Sequence, residues 1–419
     1  MDMEVVRRII TDQKEEVSKK FEKERIIERR GLERNERFIS HPFIFITTGI
    51  RRCGKSIYSL LLVRDRRYGY VNFDDERFKP MKAEDLDKVL EALFSVYGND
   101  VDHIVLDEIQ NIEGWELFAN RLQRTYRVVL TGSNARLLSK ELGTHLTGRY
   151  VKFRLFPFSF REYLDFIDLE PDIYLTSSIS IIKDHLKEYM RVGGIPDSYR
   201  FGGSYLLTLV NDIIERDIIN RYRIRYVKEM HEIARYLMSN YSRENSYNKI
   251  TNISKIGSVN TVKNYVHYLE NSYLVFELHR YSNKLKEQTL APRKIYCIDP
   301  GIISAFTFNV SEDIGLLMEN MVAVELMRRM SLEDDLELYY WKNYQQHEVD
   351  FVLRSKGRIT ELIQVTHAGS EYDLRDREVR SLRIAGKNLS CDRLTVITSD
   401  LEMEKDGMGY VPLWKWLLK

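Results

Sequence analysis

Cysteine is scarce in this chain of 419 residues, where Cys53, Cys297 and Cys391 stand far apart and are odd in number. That excludes a disulfide framework and a cysteine-rich zinc site, so a reducing cytoplasm is the expected setting. An excess of one charge is also lacking. Lys and Arg number 64 against 63 Asp and Glu, which leaves no global attraction to nucleic acid or to a membrane surface and requires any basic patch to be local. No eighteen apolar residues run together, and the N-terminal MDMEVVRRIITDQKEEVSKKFEKERIIERR has no apolar stretch long enough for a signal peptide. A soluble, cytoplasmic protein without a membrane partner is expected. Glutamine is sparse beside a charged fraction of 30%, a balance that leans towards a heat-adapted source, where ion-pair networks matter more.

What is present is enough apolar material, 43% of residues, for about two to four globular domains. The stretch from Gly49 to Ser56, GIRRCGKS, matches Gly, four residues, Gly, Lys, Ser, the phosphate-binding loop pattern. Its glycines let backbone N–H groups curl around phosphates, Lys55 reaches the β and γ oxygens, and Ser56 offers a hydroxyl to Mg²⁺. FIFITT before it reads as a buried strand and SIYSLLLVRD after it as a helix, the context the loop requires. The nucleotide-binding residues are therefore Gly49, Ile50, Arg51, Arg52, Cys53, Gly54, Lys55, Ser56 and Ile57.

A second apolar run, Ile104 to Leu106, ends in Asp107 and Glu108, at the strand end where open α/β sheets bind ligands. Asp107 suits Mg²⁺ held through water, and Glu108 suits polarising an attacking water. A third strand, RVVL, runs into TGSN. Ser133 and Asn134 there are candidates for sensing the γ-phosphate, and capping the next helix would explain the same residues. Arg149, before the strand YVKFRLF, fits an arginine that reaches the nucleotide of a neighbouring copy, or one that pairs with a surface acid.

These segments, with YVNFDDERF, IVLDEIQNIEGWE, LTGSNARLL, LTGRY, LFPFSFREYL and GGIPD, resemble in kind and order the AAA+ class of P-loop ATPases. The resemblance is to a prokaryotic group, abundant in archaea, whose ATPase core is followed by a winged helix and a PD-(D/E)xK nuclease-like domain. It implies Lys55 and Ser56 at nucleotide and Mg²⁺, Asp107 and Glu108 at metal and catalysis, Asn134 with Ser133 as sensor, and Arg149 as an arginine finger in a homo-oligomer. Arginine at Arg51 and Arg52 also fits that family's loop, and Cys53 is a small filler.

From Arg161 to about Asn240 apolar residues recur at helical spacing, which reads as a helical lid. The run from Tyr247 changes to a helix-turn-helix pattern with Val262, Tyr265, Val266 and Leu269 on one face and Asn260, Thr261, Lys263 and Asn264 on the other. The latter are phosphate- and base-contacting types, so the reading is DNA contact, against a winged helix used for packing alone. Gly315 to Arg329 reads as an amphipathic helix carrying Glu319 and Glu325, followed by Asp350 in one strand and Gln364 in another. The order resembles the PD-(D/E)xK fold, but Gln364 and Thr366 stand where that pattern has an acid and a lysine. Threonine supplies no cation. A degenerate site that does not cut is expected, with Lys342 or Lys356 as substitutes from a neighbouring strand and with Glu361 and His367 set aside because strand alternation turns them away from Gln364.

The expected architecture is a multidomain α/β chain. Residues 1–160 form an N-terminal helix and a parallel-sheet P-loop AAA+ core, 161–240 the helical lid, 241–305 the winged helix, and 306–419 an α/β restriction-endonuclease-like domain. The expected function is a Mg²⁺-dependent ATPase that binds ATP and ADP and associates with DNA. The alternatives are a nucleotide-gated scaffold acting on protein partners and an ATP-regulated nuclease.

Overall fold

The computed structural model of the protein describes residues 1–134, 148–307 and 313–419. The helix expected after Asn134 lies outside the described residues. The chain divides into two compact units, Met1–Leu155 and Phe156–Lys419.

The first unit is built on five strands: β1 (Ile44–Thr48), β2 (Tyr68–Asn72), β3 (His103–Asp107), β4 (Arg127–Gly132) and β5 (Tyr150–Arg154). They pair in the order β2-β3-β4-β1-β5, every pair parallel. The strands β1 and β3 are buried along their whole length, which is why they read as continuous apolar runs rather than as alternation. Helices Lys55–Leu62, Leu86–Tyr97 and Trp115–Leu122 follow β1, β2 and β3, as right-handed crossovers between parallel strands require. A parallel five-stranded sheet with these helices fits the expected P-loop AAA+ core.

The charged N-terminal helix, Met3–Lys23, buries Val6, Ile9, Ile10 and Gln13, a stripe at helical spacing. It packs on Leu86–Tyr97 of its own unit, in the cluster that includes Val89 and Leu93. The Gln13 amide bonds the backbone of Asn72 twice, accepting its N–H (2.9 Å) and donating to its carbonyl (3.0 Å).

The second unit opens with helices Phe160–Phe166, Thr176–Val192 and Gly203–Asp212, the last running on as a π-helix over Ile213–Asn220, and then Val227–Ser239. Helices Tyr247–Ser254 and Val259–Asn271 flank the turn at Ile256 and Gly257. Beside them lies an antiparallel sheet of β6 (Arg243–Asn245), β7 (Val275–Leu278) and β8 (Arg293–Cys297), in the order β6-β8-β7. The GGIPD motif is structural here. Gly194 N–H donates to Asp299 Oδ2 (2.6 Å), and Gly193 has φ +77° in a place where a Cβ would meet the same carboxylate. Asp299 also caps Pro300–Phe306 through the N–H groups of Gly301 and Ile302.

A mixed six-stranded sheet completes the unit: β9 (Leu336–Lys342), β10 (Glu348–Ser355), β11 (Arg358–Val365), β12 (Leu394–Thr398), β13 (Met403–Lys405) and β14 (Met408–Pro412), in the order β13-β14-β12-β11-β10-β9. The preceding helix, Ile314–Met330, corrects one expectation. It is buried nearly all round, from Leu317 to Leu326 without a break, so it is a central helix and not an amphipathic one. No helix among the described residues is long and apolar enough to cross a membrane.

Candidate functional site

The register of the parallel strands brings the C-terminal ends of β1, β3 and β4 together, with Thr48 beside Gly132 and Leu106 beside Leu130. The loop that leaves β1 turns at Gly49 and Gly54. A Cβ on Gly49 would lie 2.2 Å from Leu155 O, and Gly54 has φ +97°, so both positions require glycine. Ile50 and Cys53 are buried beneath the loop. The Cys53 thiol donates to Leu155 O at 3.6 Å, and burial pushes its pKa up, so it packs as a small apolar group and not as a nucleophile. Arg51 lies 3.5 Å from Asp74, and Arg52, in the left-handed region at φ 65°, is exposed. Ser56 and Ile57 are half-buried in the first turn of helix Lys55–Leu62.

Lys55 is buried and lies over the loop, donating to Ile50 O (3.2 Å) and pairing with Glu108 Oε1 (3.5 Å). Burial opposes its charge, but Glu108 raises its pKa above the ordinary value overall. Asp107 is buried and accepts hydrogen bonds from the hydroxyls of Tyr70 (2.7 Å), Thr131 and Ser56. Burial and the neighbouring Glu108 charge raise its pKa.

Glu108 has φ 51°, in the left-handed region, and its N–H donates to Thr131 Oγ1 (3.0 Å). Its Oε2 accepts from the Ser133 hydroxyl (3.1 Å), the Ser133 N–H (3.3 Å) and the Gln110 amide. Burial alone would raise the Glu108 pKa, yet Lys55 and Arg51 hold it below the ordinary value, so it is charged at neutral pH.

The structure therefore brings Lys55, Ser56, Asp107, Glu108 and Ser133 into one constellation, with Asn134 buried next in sequence. It does not bring Arg149 there. That side chain is exposed and bonds Asn120 Oδ1 (3.3 Å), and its carbonyl accepts from Ile44 N–H at the start of β1. The loop leaves the far end of β1, four residues or about 13 Å along the strand. Arg149 does not reach its own loop. Tyr70, Thr131 and Gln110 hold the two acids and were missed. All three stand inside the motifs YVNFDDERF, IVLDEIQNIEGWE and LTGSNARLL, but only the register of β2, β3 and β4 shows what they touch.

The nuclease-like residues lie in the second unit around a pocket of about 470 Å³ lined by Glu319, Glu348, Asp350, Gln364, His367 and Glu378, among others. Burial and Asp350 push the Glu319 pKa up to about 8. Two expectations fail. Glu325 is absent from the lining and pairs with Arg328 and Arg329, because six residues on a helix turn the side chain about 120° away from Glu319. His367 does line the pocket, since β11 ends at Val365 and alternation no longer applies beyond it. The central cation at this site is neither Lys342, which touches only Glu348 there (3.0 Å), nor the exposed Lys356. It is Lys294 of β8, buried and within 3.0 Å of Glu319, Glu348 and Asp350. Of the proposed DNA contacts, Asn260, Lys263 and Asn264 are exposed on helix Val259–Asn271 and Thr261 is half-buried.

Residues 41–164 match the model of an AAA domain, and residues 183–313 and 314–416 match two models each described as a domain of unknown function. An uncharacterized protein of Methanocaldococcus jannaschii is 31% identical over 401 residues, 90% of this chain and 88% of that one. Another, of Haemophilus influenzae, is 26% identical over 408 residues, 91% of this chain and 96% of that one. The solved Walker-type ATPase of Pyrococcus abyssi is similar at 16% identity with a TM-score of 0.46, over 67% of this chain and 96% of that chain.

Proposed function

The chain belongs to the same family of AAA-domain P-loop proteins as the M. jannaschii relative, and from that premise we propose that it is a Mg²⁺-dependent ATPase. The observation that carries the reading is Glu108, a charged carboxylate held by Ser133 and Gln110 at the strand end beside the phosphate loop. Such a group orients and polarises water. The backbone N–H groups between Gly49 and Ser56 bind the phosphates, and Lys55 leaves Glu108 to meet the terminal one.

The donor set fits a hard divalent cation. Asp107 is a buried carboxylate already bonded to the Ser56 hydroxyl, and both are oxygen ligands of the type Mg²⁺ takes. When bound, Mg²⁺ supplies neutralisation of phosphate charge. Ser133, bonded to Glu108, and Asn134 sense the γ-phosphate, and Arg149 acts on the loop of a second copy. In the second unit, helices Tyr247–Ser254 and Val259–Asn271 act as a winged helix that contacts DNA through Asn260, Thr261, Lys263 and Asn264, and ATP turnover moves that unit.

Steady-state ATP hydrolysis with and without single-stranded, duplex and branched DNA tests this, with Glu108→Gln as control. Turnover that DNA raises and Glu108→Gln abolishes supports the ATPase and its DNA association. A rate indifferent to every DNA, but rising with protein concentration, favours a switch acting on protein partners, and no hydrolysis under any condition refutes the ATPase.

A further inference from the structure

The densest buried charge in the second unit is centred on one nitrogen. Lys294 Nζ lies 3.0 Å from Glu319 Oε1, 2.8 Å from Glu348 Oε1 and 2.9 Å from Asp350 Oδ1. The three acids come from two elements, one from the central helix and two from β10, and the lysine from a strand of a different sheet. Its side chain is 3% exposed, so the ammonium has no water to fall back on and its three N–H donors match three carboxylate oxygens. The backbone of β8 is paired on both sides, Lys294 standing beside Glu244 on one and Leu278 on the other. That fixes the stem from which the ammonium reaches the pocket.

Oxygen ligands converging from separate elements on one point are what a hard divalent cation takes. The distances are those of N–H···O bonds, and are longer than the roughly 2.0–2.6 Å of Mg²⁺ or Ca²⁺ to oxygen. Three carboxyl groups face one ammonium, so the acids at the centre outnumber the cation they surround. Lys342 touches only the outer oxygen of Glu348 (3.0 Å) and is shared with Glu244 (2.6 Å). A second, independent observation concerns Gln364. Its Nε2 donates to Asp350 Oδ2 (2.6 Å), while its Oε1, on a side chain that lines the pocket and is 7% exposed, has no hydrogen-bond partner. A buried amide oxygen without a donor is destabilising, and a cation would use it. The Tyr296 hydroxyl holds Glu319 Oε1 in place (2.7 Å).

We propose that this cluster is a divalent-cation site whose ion has been replaced by the Lys294 ammonium. The native chain then holds no metal there and cleaves no phosphodiester bond. A chain deprived of that ammonium takes up one hard divalent cation on Glu319, Glu348, Asp350 and the amide oxygen of Gln364.

The test is Mn²⁺ binding to the full chain, nucleotide-free, followed by the electron paramagnetic resonance of free Mn²⁺ and by thermal unfolding. Wild type and Asp350→Asn are expected to bind Mn²⁺ alike, while Asp350→Asn melts lower because it removes a partner of the buried Lys294. Lys294→Ala is expected to gain one Mn²⁺ per chain and a melting temperature that rises with Mn²⁺. Adding Asp350→Asn to it should lower the gained affinity by about tenfold or more. If Lys294→Ala folds only with Mn²⁺ present, the proposal is equally supported. Wild-type Mn²⁺ binding that disappears with Asp350→Asn overturns it, as does a Lys294→Ala chain that folds and gains no ion. A Lys294→Ala chain that stays unfolded at saturating Mn²⁺ overturns it too, because an ion on those oxygens would restore the charge the ammonium supplied.

Discussion

Thr131 is buried and bridges the two acids of the ATPase site, donating to Asp107 and accepting the Glu108 N–H. Valine has nearly its shape and none of its hydrogen bonds. Thr131→Val removes a bond to a charged carboxylate, about 1.5–3 kcal/mol, and leaves the Glu108 N–H unsatisfied, about 1–3 kcal/mol. Burial of the added methyl returns about 1 kcal/mol. The net loss should be about 1.5–5 kcal/mol, read by urea or thermal unfolding of the full chain. Turnover should fall on the order of tenfold or more, because Glu108 loses the bond that fixes its left-handed backbone and a small misplacement of a catalytic group is expensive. ATP binding should change little, since the loop is untouched. Thr131→Ser, which keeps the hydroxyl, should retain most of the turnover. If Thr131→Val unfolds and turns over like the wild type, the bridge is not what positions Glu108, and the assignment of roles at this site is wrong.

Two further outcomes follow from the second unit. Glu319 gives up its proton near pH 8 when folded and near 4.5 when unfolded, so the folded state binds more protons between these values and stability falls as pH rises through that window, at most about 1.4 kcal/mol per pH unit. Glu319→Gln should flatten that dependence in urea melts run between pH 5 and 8, and an unchanged slope would refute the attribution. A Cβ on Gly194 would lie 2.2 Å from Phe158 O, so Gly194→Ala should cost at least about 3 kcal/mol, seen as lost soluble yield or a lowered unfolding midpoint; wild-type stability would refute the packing argument.

The ATPase half of the site was legible because its signals are local. GIRRCGKS between FIFITT and a helical run needs no tertiary information, and Asp107 and Glu108 end a run whose burial shows in its composition. What escaped depends on register and on long-range approach. Tyr70 reaches Asp107 only because β2 and β3 pair with Asn72 opposite Asp107, and a tyrosine two residues before that partner carries no mark of it. Lys294 lies 56 residues before Asp350 in a strand of another sheet, so no local pattern around Asp350 points to it. Glu325 misleads for the opposite reason: its pattern is local, but the turn of the helix decides which acid faces the pocket.

The double bond between Gln13 and Asn72 has a consequence for how this chain meets others. The strand β2 is at one edge of its sheet, and such edges expose backbone groups on which a foreign strand can grow. By offering both a donor and an acceptor to one residue, the Gln13 amide imitates the next strand and closes that edge at Asn72. Any partner that would extend the sheet there must first lift the N-terminal helix away, and cutting that helix off should turn a well-behaved protein into one that aggregates by strand addition.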